Sequence, residues 1–116
     1  MKNTKTRDDV ALFANETIIA ARGTVARFAK NLGESQALAH DLQWSGAAFT
    51  AAARAQVWVE VLVFVTNGGD LDKLVAHAVS QAIPMGDHIG SPTHALMADE
   101  IRVAWGRVFD YLTRGF

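Results

Sequence analysis

Residues Arg54–Asp70, RAQVWVEVLVFVTNGGD, decide how the whole chain is read. Val57, Val59, Val61, Val63 and Val65 alternate along it. In a strand they would line one face, with Trp58, Glu60, Leu62 and Phe64 on the other. β-Branched and aromatic side chains favour that conformation. Two observations favour a helix instead. No second strand pattern occurs elsewhere, and a lone strand leaves its backbone donors and acceptors unpaired unless a symmetry mate supplies partners. The preceding AAFTAAARAQ, residues 47–56, is strongly helical, and neither Gly nor Pro separates it from the valines. The stretch therefore predicts one helix to about Thr66, ended by Asn67-Gly68-Gly69, with a dimer-paired strand over 57–65 as the competing reading. A helix apolar nearly all round belongs in the centre of an assembly, so this one is expected to be sequestered.

Glu60 sits in the middle of that run. On a helix its neighbours are Gln56, Val57, Val63 and Phe64, none of them a cation. A buried carboxylate there must be protonated, hydrated or paired from another segment. The plain expectation is a structural ion pair with Arg22, Arg27, Arg102 or Arg107. The alternatives are exposure at a wet edge, or a Glu of raised pKa poised as a general acid or base in an apolar cavity. Arg54 and Trp58, four residues apart, are spaced for a cation–π contact.

Outward from this segment the chain reads as helices on short connections. A first helix is expected from about Asp8 to Asn31, capped by Thr6 or Asp8, with Val10, Phe13, Thr17, Ala21, Val25, Phe28 and Leu32 on one face. A second pattern starts at Ser35, bends at Ser45-Gly46 and runs into the valines. Asp70 caps a third helix with Leu71, Leu74, Val75, Ala78 and Ala82 as its seam, and Pro84 stops it. Ser91 and Pro92 suit the start of a fourth, with Met97, Ile101, Ala104, Trp105, Val108 and Leu112 inward and Asp110 and Arg114 paired outside. The fold class is all-α: one domain over 1–116, an antiparallel four-helix bundle with a fifth helix as the alternative, preceded by a frayed tail over 1–7.

Composition bounds the function. Half of the 116 residues are apolar, twenty are alanine, and three tryptophans and six phenylalanines add more apolar surface than a short chain easily hides. Part of it is expected to meet another copy, giving a homodimer. Net charge is −1 with signs interspersed, which argues against nucleic acid. Residues 47–66 are apolar enough to suggest a membrane span, but Arg54 and Glu60 near its middle argue against one. The absence of cysteine agrees with a reducing cytoplasm, and no secretory signal pattern follows the N-terminal cations.

Catalytic signatures are absent. None of His40, His77, His88 and His94 has a His, Asp or Glu three or four residues away, so no helix carries a two-ligand metal pair. No nucleotide-binding glycine motif or GxSxG occurs, and no cofactor is expected. Two places remain. Arg54, Trp58, Glu60, Phe64 and Trp105 would bind a small, largely apolar or aromatic ligand between helices, with Glu60 the candidate catalytic residue in the enzyme alternative. The loop GDHIGSPTH places Asp87, His88, Ser91 and His94 beside a helix N-terminus, where backbone N–H groups hold anions. Binding, of a partner protein or of such a ligand, is the expected role.

Overall fold

The computed structural model describes residues 3–34, 45–82 and 92–114, which form four helices and no strand: α1 (Arg7–Glu34), α2 (Ser45–Thr66), α3 (Leu71–Ala82) and α4 (Pro92–Arg114). Helix α2 runs unbroken through the valines, so the strand reading of 57–65 is overturned. In a helix every backbone group of the segment finds its partner locally, whatever the β propensity of the side chains. The expected helical pattern over 35–44, its bend and the possible fifth helix lie outside the described residues.

The helix ends follow local chemistry. Thr6 and Asp9 form a reciprocal cap: the Asp9 N–H donates to Thr6 Oγ1 at 3.2 Å, and the Thr6 N–H donates to Asp9 Oδ2 at 3.3 Å. At the end of α2, Gly68 takes φ +80°, which only glycine adopts without strain. Its N–H donates to the Val65 carbonyl and that of Gly69 to Phe64, both at 3.0 Å, satisfying two of the last carbonyls. Asp70 then caps α3, its Oδ1 accepting the Asp72 N–H at 2.9 Å. Pro92 opens α4 as expected, whereas Ser91 lies outside the described residues. On α4 an ion pair joins Arg102 to Asp99 at 3.4 Å, rather than Asp110 to Arg114.

Helix α2 lies at the centre. It packs along α1 on one side and α4 on another, while α3 rests mainly against α4. The core joins Val10, Ala14 and Ile18 of α1, Val57, Trp58, Val61 and Val65 of α2, Leu74, Val75 and Ala78 of α3, and Ala104, Trp105, Val108, Tyr111 and Leu112 of α4. The α1 stripe is rotated from the expected one: Ala14 and Ile18 are buried, while Phe13 and Thr17 are only half-buried. The principal extents are 49 × 33 × 23 Å and the radius of gyration is 15.8 Å. A compact chain of this length would have a radius of about 13 Å, so the shape is elongated.

Residues 3–6, read from the sequence as a frayed tail, instead lie against α4. The Thr4 N–H donates to the Leu112 carbonyl at 2.7 Å and its hydroxyl donates to the same oxygen at 3.1 Å. That carbonyl belongs to the last turn of α4, where no further helical N–H is available, so an outside donor is stabilising. Residues Ala47–Thr66 of α2 are long and apolar enough to cross a membrane by length and composition alone, and a third of that stretch is buried.

Candidate functional site

The core centres on aromatic rings. Phe13 stacks on Tyr111 with centroids 4.1 Å apart and meets the Trp58 ring edge-on at 5.0 Å; Trp58 meets Tyr111 at 5.8 Å. Such offset and edge contacts suit the negative faces and positive edges of the rings. The Tyr111 hydroxyl donates to the Asp9 carbonyl oxygen at 3.2 Å, and Lys5 Nζ lies 5.2 Å from the ring centroid. Burial raises the Tyr111 pKa, and the nearby charges of Asp9 and Glu16 push it the same way. Trp105 lies against α3, its ring meeting that of the exposed His77 edge-on at 4.9 Å.

The predicted ligand set therefore separates into three places. Trp58 and Trp105, 2 % and 3 % exposed, belong to the core rather than to an open cavity. Arg54 is exposed, and the expected Arg54–Trp58 contact gives way to Phe13 and Tyr111 around the indole. Glu60 and Phe64 come together at the surface. With Val59, Val63, Asn67 and Gly69 they line an open hollow of about 530 Å³ on the outer side of the last turns of α2.

Glu60 is exposed, which corrects the expectation of a sequestered acid with a partner from another segment. The reason is geometric. Helix α2 turns Val57, Trp58, Val61 and Val65 to its neighbours, and Gln56, Glu60, Val63 and Asn67 follow one another along the opposite side. Apolar composition all round the helix hid which side would be covered. Val63 is 52 % exposed, directly beside the carboxylate. The floor of the hollow is the Phe64 ring, seated on Gly69 so closely that a Cβ at position 69 would overlap it.

Val59, Val63, Asn67 and Gly69 were missed by sequence reasoning as lining residues. The i, i+4, i+8 spacing of the first three was visible, but not that their side faced outward. The loop candidates Asp87, His88 and Ser91 lie outside the described residues, as does the side chain of His94. Comparison with protein-family models, with curated proteins and with solved structures finds no match for this chain.

Proposed function

We propose that this chain is a small homo-oligomeric, antiparallel helical-bundle protein whose role is binding, and that the hollow on α2 takes a small, largely apolar ligand carrying an amine or similar donor. The observation that carries this reading is the hollow itself. It is an open surface hollow of about 530 Å³ with a mostly apolar lining. Val59, Val63 and Phe64 offer apolar surface, while the Glu60 carboxylate and Asn67 amide are exposed polar groups at its margin. A donor on the ligand would pair with Glu60, a charge-assisted contact.

The antiparallel arrangement is supported by Arg7, at the head of α1, whose guanidinium donates at 2.9 Å to the Gly68 carbonyl at the tail of α2. Self-association is supported by the large apolar side chains left at the surface on every helix. A cytoplasmic setting rests on the lack of cysteine and the two charges within α2. The acid–base alternative for Glu60 gains no such support, since the carboxylate stands in water.

Titration with 4-phenylbutylamine, followed by amide chemical shifts, tests the binding reading. The expected result is saturable shifts confined to Val59, Val63, Phe64 and Gly69, weaker with 4-phenylbutanoate. Glu60→Gln should remove the preference for the amine and change stability by less than about 0.5 kcal/mol, as for an exposed side chain. Shifts that are absent or lie elsewhere refute the site. A stability loss on the order of 3–5 kcal/mol would restore the buried-pair reading instead.

A further inference from the structure

The outer face of α1 leaves large apolar side chains uncovered. Leu12 and Ile19, 62 % and 71 % exposed, are the most exposed of the large hydrophobic side chains described. They stand seven residues apart, and Gly23 and Ala26, also exposed, continue the same line along the side of α1 away from Val10, Ala14, Ile18 and Ala21. Leu12, Ile19 and Ala26 recur every seven residues, one position per heptad, with the exposed Glu16 and Gly23 between them, and Gly23 and Ala26 let backbones approach at one end. At 1.5 Å per residue, a helix of 28 residues provides about 42 Å of length.

Charge along that face is split in two. Asp8, Asp9 and Glu16 occupy the first half and Arg22, Arg27 and Lys30 the second, all six exposed, with Glu34 adding one acid by register at the end of the second half. Among the described residues none of these six forms a salt bridge. Two copies laid antiparallel about a two-fold axis near Ile19 would set each acidic half against the other's basic half and Leu12 against Ala26. A parallel pair would set the three acids against each other and the three cations against each other. Closed two-fold contacts require this kind of self-complementary surface.

From the apolar line and the charge split together, we propose that a second copy of this chain docks on the outer face of α1, antiparallel, with Ile19 at the two-fold axis. This rests on the self-associating part of the function proposed above and adds the face, the direction and the centre. It leaves the α2 hollow untouched.

Sedimentation at micromolar concentration tests it. The wild type is expected at twice the chain mass of 12.5 kDa, and Ile19→Asp at the monomer mass with its helical circular dichroism unchanged, because the side chain is exposed. Oxidation of Leu12→Cys/Ala26→Cys, in a chain without native cysteine, should give covalent dimers, and neither single variant should. A wild-type monomer overturns both this inference and the self-association reading. A dimer that survives Ile19→Asp overturns the face and leaves self-association standing. Cross-linking by Leu12→Cys alone overturns the antiparallel direction.

Discussion

The two ends of the α1–α2 pair are stabilised differently. Near the Asn67–Gly69 turn, valines and the Phe13–Trp58–Tyr111 rings pack with residues of α3 and α4. Towards the far end, beyond Ile18 and before Val57, the buried described side chains are Ala21, Ala51 and Ala53. Arg54 marks the border. It continues the stripe of Trp58, Val61 and Val65 at helical spacing, yet it is exposed. One turn further along the same line Ala51 is buried again, so beyond Arg54 the cover on that stripe holds only a methyl group. Burying an aromatic or branched side chain is worth about 1.5–3 kcal/mol, and an alanine methyl far less. The lesson is that one continuous helix spans a strong core and a weak one, so stability along the rod is uneven.

Removing the anchor of the aromatic end should have the largest effect. Trp58→Ala is expected to lose about 3–5 kcal/mol by denaturant unfolding. A loss under about 1 kcal/mol would mean that the two ends do not differ. At the alanine end the sensitive change is enlargement. Ala53→Leu should cost about 1–3 kcal/mol by overpacking, with amide exchange accelerating from Ala47 to Gln56 before it does around Trp58. Simultaneous acceleration at both ends would show that they unfold as one unit.

Tyr111 offers a pH test of the aromatic end. Its pKa is raised in the folded chain, above a usual value of 10.0. The folded state thus holds the phenolic proton more tightly than the unfolded state. That contribution is complete below pH 10 and is lost as pH rises through the folded pKa. Tyr111→Phe should flatten the alkaline fall in stability above about pH 10. At neutral pH it should cost about 0.5–1.5 kcal/mol for the lost hydrogen bond. An unchanged alkaline profile would place the titration elsewhere. The smallest effect is at Gly106, inside α4, where a Cβ would meet nothing within 4 Å. Gly106→Ala should stabilise by about 0.5–1 kcal/mol, measured as a higher melting temperature.

Much of the local structure was legible in the sequence. Thr6, Asn67-Gly68-Gly69, Asp70 and Pro92 mark helix ends because their chemistry acts over three or four residues and needs no knowledge of the rest. The seam of α3 was legible for the same reason, since its apolar residues share one side. On α2 that signal fails. A helix apolar on every side carries no period from which the covered face can be read. The sequence therefore suggests an enclosed Glu60 and an Arg54–Trp58 contact, puts Phe13 on the apolar face of α1 without its ring partners, and gives no sign of Tyr111.

What the residue order determined by itself is helicity and its limits: caps, stops and an unbroken α2 despite five alternating valines. These follow from backbone hydrogen bonding and side-chain chemistry within one or two turns. What only the tertiary arrangement decided is which side of α2 meets α1 and α4, and hence that Glu60, Val63 and Phe64 border a hollow while Trp58 is enclosed. That choice depends on how whole helices fit against one another, a property of surfaces far apart in the chain.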